Sequence, residues 1–229
     1  GFVANSFITD ERRGAVVYED PLILVADAKI EKVEQILPIL EVIAREGRPL
    51  VIIAPEIEGQ ALAALIMNTV RGTMKIAAVK APRYGRERRN ILKDLCVATG
   101  AAFATSSGAL KLKDVKMEHL GTCSKIDIVK NFSTFVGGSG NYQEIDLHIE
   151  ALKAELENTD TFVECERIQE RITRLAAGVA IIKVGAPTEA EMIEKRHRIE
   201  DALEAVKAAQ QEGIVPGGGV ALIRALPKK

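Results

Sequence analysis

Apolar residues fall into two kinds of pattern along this chain. Four short continuous runs stand out: PLILVAD from Pro21, PLVIIAP from Pro49, KIAAVKAP from Lys75 and GAAFAT from Gly100. Each is β-branched or Ala-rich and is bounded by Pro, Gly or charge, which predicts buried strands. Between them, residues 31–46, 59–71 and 86–99 carry apolar positions at helical spacing. Strands alternating with helices predict βαβ units, a largely parallel sheet flanked by helices, and an α/β (α+β) fold. Residues 124–138 read as a hairpin: SKIDIV, a turn at Lys130–Asn131, then FSTFVGG.

Beyond residue 141 the pattern becomes charged and helical. Ile145, Ile149, Leu152 and Leu156 share one helix face, and Asn158-Thr159-Asp160 breaks the run. Phe162/Val163, Ile168, Ile172 and Leu175 give a second helix its own stripe, so the two form an antiparallel pair. A strand, GVAIIKVG, is expected from Gly178. Thr188 and Glu191 have capping-box spacing, which starts a long helix that Gly213 should stop. Ile199, Leu203 and Val206 form its apolar stripe, and Asp201 lies about 160° away from them. The chain closes on PGGGVALIRALPKK, a Gly-rich turn opening a helix too short to stand alone, so the sequence reads as truncated.

Two helices are wider in their apolar character than a core needs. Over residues 31–46, Val33, Ile36, Leu37, Ile39, Leu40, Ile43 and Ala44 sweep roughly 160°, against a stripe of little over ~100° for a helix on one side of a sheet. In the next helix Leu62, Leu65, Ile66, Met67 and Val70 cover about 200°, and Ala fills much of the rest. Such helices are either core on all sides or present a greasy groove that binds apolar segments with little sequence preference.

Composition narrows the choices. Lys+Arg total 31 against 32 Asp+Glu, a net charge of -1, which argues against a dedicated nucleic-acid binder. No apolar run approaches the ~20 residues of a membrane helix, and the opening GFVANSFITDERRG is no signal peptide. Cys96, Cys123 and Cys165 have neither disulfide-framework nor zinc spacing and read as free thiols in a reducing compartment. His119, His148 and His197 show no ligand spacing, so no metal site is expected. Lys75, Lys80, Arg83, Arg86, Arg88, Arg89 and Lys93 surround Tyr84 with only Glu87 against them. That cluster is a phosphate contact or, more simply, a solvated helix start with ion pairs. Gly217-Gly218-Gly219 precedes a helix and is a tight turn or a nucleotide contact; it lacks the P-loop Lys-Ser/Thr and the Rossmann spacing. Gly137-Gly138-Ser139-Gly140 reads as a hinge or loop.

Two strings carry a resemblance. EGQALAALIMNTVRGTMKIAAVKAP is similar to the second binding helix and following strand of the apical domain of group I chaperonins, the GroEL family. RITRLAAGVAIIKVGAPTEAEMIEKRHRIEDALEAVKAAQQEGIVPGGGVALIRA resembles that family's passage from apical through intermediate into equatorial domain. The resemblance implies an apical, polypeptide-binding domain over 1–178, an intermediate segment over 179–212 and the start of a truncated equatorial domain over 213–229. It implies a groove lined by Phe2, Phe7, Leu37, Leu40, Leu62, Ile66 and Met67 with Asn68 beside it, taking unfolded polypeptides and a heptameric co-chaperonin of the GroES type. Ser6 stands where the family has an aromatic, and Met67 where it has Val. Pro55-Glu56 replaces an acidic pair, and RYGRERRN a more neutral loop. Asp201 matches the carboxylate that activates water for ATP hydrolysis, Gly217 and Gly218 the turn that approaches the nucleotide, and Glu189 a switching contact between subunits. ATP, magnesium and heptameric rings belong to the full-length parent, a protein-folding ATPase; this fragment is expected to hold no cofactor. The compartment implied is the cytoplasm, or an organelle matrix in a eukaryote. The competing reading is a stand-alone nucleotide-binding α/β enzyme using Gly217–Gly219.

Overall fold

The four apolar runs pair with one another in a single sheet. In the computed structural model, which describes residues 1–176 and 182–226, the strands are β1 (Val16–Glu19), β2 (Leu22–Asp27), β3 (Leu50–Ala54), β4 (Ile76–Lys80), β5 (Phe103–Thr105), β6 (Gly121–Ile128) and β7 (Ser133–Gly138). β5, β2, β3 and β4 lie side by side and parallel, with Leu22 opposite Leu50, Leu50 opposite Ile76 and Val25 opposite Phe103. β2 is shared: its first two residues pair antiparallel with β6 and its last three pair parallel with β5. β1 and β7 flank β6, both antiparallel. The sheet is therefore mixed, and the inner strands of its parallel part, β2 and β3, are buried on both faces, as βαβ crossovers require. The open edge of β4 is covered by the first residues of the chain, with Phe2 bridging Val79 and the Val3 N–H donating to the Ala78 carbonyl at 2.8 Å.

The helices are α1 (Leu37–Glu46), α2 (Gly59–Val70), α3 (Gly85–Thr99), α4 (Tyr142–Glu157), α5 (Phe162–Ala176), α6 (Glu189–Glu212) and α7 (Val220–Ala225). The helix expected over 31–46 is split. Pro38 inside an α-helix would lose the bond to residue 34 and clash with its carbonyl, so 33–35 form a 3-10 turn and α1 starts at Leu37. Right-handed crossovers place α1 and α2 on one face of the sheet. The β4 to β5 crossover runs the other way along the sheet, so α3 lies on the opposite face. One core joins sheet and helices, with Ile23, Leu24, Ile52, Leu65, Ile76 and Leu92 almost wholly buried.

α4 and α5 pair with each other through Ile149, Leu152, Ile168 and Ile172. Their attachment to α3 is polar. Arg171 of α5 grips Asp94 of α3 with both prongs, Nε to Oδ2 at 2.7 Å and Nη2 to Oδ1 at 2.8 Å. His148 of α4 meets the same carboxylate at 2.7 Å. Asp94 and Arg171 are both buried. Phe162 and Val163, expected in the α5 stripe, point to solvent instead. The glycine run at 137–140 is neither hinge nor free loop. A Cβ on Gly138 would sit 2.1 Å from the Ala98 carbonyl oxygen, and the Gly140 N–H donates to that same oxygen at 3.1 Å. Glycine there lets β7 lie directly on the end of α3.

The chain divides into two compact units, Gly1–Val179 and Ala180–Lys229. In the second, Thr188 caps α6 by accepting from the Glu191 N–H at 3.3 Å, and Gly213 ends the helix with φ +80°. The strand expected from Gly178 begins on residues outside the described ones, and residues 182–185 have no regular secondary structure. Among the described residues no helix is long and apolar enough to cross a membrane.

Two measurements check this account. Asp94→Ala strands a buried guanidinium and should cost about 3–5 kcal/mol in urea unfolding, with amide exchange rising first in α4 and α5. Burial also pushes the Cys96 thiol up to about 12 and the Cys123 thiol up to about 11. Thiols of the unfolded chain ionise near pH ~8.5 while the native ones keep their protons. Stability is thus whole below about pH 8.5 and declines as pH climbs toward the folded values. Urea midpoints should fall across that window, and the Cys96→Ala, Cys123→Ala pair should flatten the decline.

Candidate functional site

α2 has no charged residue in its twelve positions. Ala61 and Leu65 point inward and are fully buried, against β4 and the 3-10 turn Asn5–Phe7. The other apolar side chains turn away from the core. Leu62 and Ile66 are half-buried, Met67 is 48% exposed and Val70 is more open still. α1 is oriented more conventionally. Ile39, Leu40 and Ile43 are buried, while Leu37 at its start is 43% exposed. The exposed apolar surface on this side of unit 1 is thus Leu37, Met67 and Val70, with the flanks of Leu62 and Ile66.

The other positions that the resemblance put in a groove have different surroundings. Phe7 is wholly buried and Leu40 is 5% exposed, so both belong to the core beneath the helices. Phe2 is half-buried on the β4 edge. Asn68 is half-buried and occupied: its Nδ2 donates to the Ala64 carbonyl at 2.8 Å and its Oδ1 accepts from Thr73 at 3.1 Å. It closes the turn after α2. Ser6 is exposed.

The segment that follows β2 is tied to the amino end of α2 by a cluster that spacing did not reveal. The Lys29 ammonium lies 2.5 Å from Glu58, 3.6 Å from Glu31 and 4.0 Å from Glu56. The hydrogen bond to Glu58 and the field of the other carboxylates hold Lys29 above its ordinary value. All four are exposed, and the surface is charged there while the α2 surface is not.

The basic run serves internal ion pairs. Arg88 and Arg89 both bind the buried carboxylate of Asp27, each at 2.8 Å. Arg83 lies 3.3 Å from Glu87, and Arg86 lies 3.8 Å from Glu155. Asp27, at the carboxyl end of β2, is the residue whose importance the sequence hid, because its partners lie about 60 positions away.

In the second unit, Asp201 is exposed on α6. Gly217, Gly218 and Gly219 form an open turn with positive φ at the last two, and no atom stands within 4 Å of where a Cβ would lie. Glu189 opens α6 and is exposed. Among the described residues no cluster of three or more His, Cys, Asp or Glu could hold a metal ion.

An α/β unit with a charge-free surface helix is a common form; the sequence profile decides among its owners. A model of the TCP-1/cpn60 chaperonin family matches residues 9–228. The chain belongs to that family. Its role is therefore of the chaperonin type, and the exposed apolar side of α2 in this chaperonin chain is a candidate surface for polypeptide.

The two sides of α2 should separate in mutants. Leu65→Ala opens a cavity in the core and should cost about 2–5 kcal/mol. Met67→Ser removes a side chain that packs little and should stay within about 0.5 kcal/mol of the unmodified chain. Urea unfolding of the two variants side by side checks this.

Proposed function

We propose that this chain binds unfolded or misfolded polypeptide along the outer side of α2 and the start of α1, as the polypeptide-binding part of an ATP-driven folding ring. The observation that carries the reading is α2 itself: a helix without a charge that keeps Met67 and Val70 in solvent and Leu62 and Ile66 half covered. Apolar area left in water at this density is unfavourable unless a partner covers it. Burial is non-directional, so Leu, Ile and Met accept many sequences, and the flexible thioether of Met67 widens that tolerance. Each apolar anchor buried contributes ~1.5–3 kcal/mol before the cost of association, so a few together give affinities on the micromolar scale. The same surface is proposed to take a heptameric co-chaperonin of the GroES type. Leu37, Leu62, Ile66 and Met67 make the contacts; Phe7 and Leu40 set the position of the helices from below, and Phe2 and Asn68 frame the ends.

ATP and magnesium enter the proposal through the assembled parent in the cytoplasm or an organelle matrix. The residues present fit only part of a nucleotide site. Gly217–Gly219 supplies open backbone, and Asp201 an exposed carboxylate suited to orienting water. Bound there, the nucleotide would supply the hydrolysis that drives the ring. The glycine turn alone gives the rival reading, a stand-alone nucleotide enzyme, less support than α2 gives polypeptide binding.

The test is dilution of a denatured protein into buffer with this chain and no nucleotide, followed by light scattering. Aggregation should fall at near-stoichiometric amounts. The combined variant Leu37→Ser, Leu62→Ser, Ile66→Ser and Met67→Ser should lose the effect while keeping its far-UV spectrum. Undiminished protection by that variant would remove α2 from the proposal.

A further inference from the structure

The parallel strands send the chain to opposite faces at one place. β3 leads into α2 and β4 leads into α3, and right-handed crossovers put those helices on opposite sides of the sheet. Neighbouring strands whose exits diverge leave a crevice beyond their carboxyl ends, where open α/β sheets hold ligands. A cavity of about 90 Å³ lies there, lined by Glu56 after β3, by Lys80, Arg83 and Tyr84 around the end of β4, and by Arg88 of α3. It is separate from the apolar side of α2 and independent of the polypeptide reading.

Three observations make this crevice more than a gap. Arg83 has φ +61°, a conformation that glycine adopts freely and a Cβ resists. Asp20 is the other described non-glycine residue with positive φ, and Asp tolerates that region far better than Arg. A long cation is thus kept where a smaller residue would fit the backbone. The charges are also not balanced. The lining itself carries Lys80, Arg83 and Arg88 against Glu56; Arg83 is shared with Glu87 and Arg88 with Asp27, while Lys29 draws on Glu56 and Arg167 on Glu87, so the lining is positive on balance. Among the described residues Lys80 makes no ion pair. Finally, the ring of Tyr84 is 81% exposed beside the opening and offers a flat apolar wall.

We propose that the crevice between the carboxyl ends of β3 and β4 binds a carboxylate, with Lys80 and Arg83 as its charged contacts and Tyr84 against the group that carries it. The positive lining suits an anion, and Glu56 within it opposes a doubly charged phosphate more than a monoanion. Charge-assisted hydrogen bonds from a guanidinium suit the planar carboxylate. The group comes either from a chain terminus or from an acidic side chain, and two probes separate these sources.

N-acetylphenylalanine presents a terminal carboxylate, and N-acetylaspartate amide a side-chain one; N-acetylphenylalanine amide is the neutral control. Each is titrated while the backbone amide signals of residues 80–88 are followed by NMR. At least one acid should shift those signals saturably, and the neutral amide should not. Arg83→Gly should bind that acid at least about tenfold more weakly, the scale of one charge-assisted hydrogen bond. Its fold should be as stable or more so, because glycine suits φ +61°. Lys80→Gln should weaken binding in the same direction. Saturation by neither acid, equal shifts from the neutral amide, or unchanged binding in Arg83→Gly would each overturn the site.

Discussion

The structure depends on burying both faces of the β5-β2-β3-β4 sheet. β2 and β3 are buried along their whole length, so no side chain on either face meets water. Parallel strands cannot be joined by tight turns, and each crossover must return across a face. Helices are forced onto both sides as a result. α1 and α2 cover one face and α3 the other, and α3 becomes the base to which α4 and α5 attach. The sheet needs only a stripe from each covering helix. α1 spends most of its apolar residues on that stripe. α2 spends Ala61 and Leu65, and has apolar residues left over.

That surplus is where folding and function part company. A helix selected only for packing would carry Lys or Glu on its outer side, since charge there costs little and favours solubility. The cluster around Lys29 shows the chain does so nearby, at the amino end of the same helix. The contrast over a few residues, from a four-member charge cluster to a helix with no charge, is hard to assign to the needs of the fold. It fits the proposed role, in which this surface holds apolar chain segments loosely and lets them go. Ala61 and Leu65 hold α2 against β4, so the outer side chains stand on a packed helix rather than on a loop.

Much of this was legible from pattern. β2, β3 and β4 are continuous apolar runs, and a fully buried strand has no other way to look. The stripes of α4 and α5 were visible because one side of each meets the other helix. β1 was missed: it has four residues, alternates buried and open, and is fixed by its pairing with β6 far along the chain. Hydrophobic spacing runs undisturbed through the 3-10 turn before α1, so in the sequence Pro38 alone marks the break. The wide stripes over 31–46 and 59–71 left core and groove unresolved, and burial divides them residue by residue. Phe7 and Leu40 look like Leu37 and Met67 in a hydrophobicity pattern, and only the third dimension sends the first pair inward. Asp27 and Asp94 were not legible at all, since a carboxylate's partners 60 or more positions away leave no local trace.

Those two aspartates solve the same problem at two levels along α3. A helix packed on a sheet through apolar contacts alone can slide, because burial has little directional preference. Asp27 binds Arg88 and Arg89 near the start of α3 and fixes it against the end of β2. Asp94, one turn further on, fixes α4 and α5 against α3 through Arg171 and His148. Both carboxylates are buried, and a buried charge pair adds little net stability over an apolar replacement. Its benefit is register: only one alignment of the helix satisfies both guanidinium grips and the imidazole. The cost of that arrangement is asymmetric. Each carboxylate holds two partners, so removing either aspartate leaves more groups without a partner than removing any single partner does. The basic run of α3, which in sequence reads as a phosphate contact or, more simply, as ion pairs at a helix start, is thus first of all the means by which the back layer is locked to the sheet.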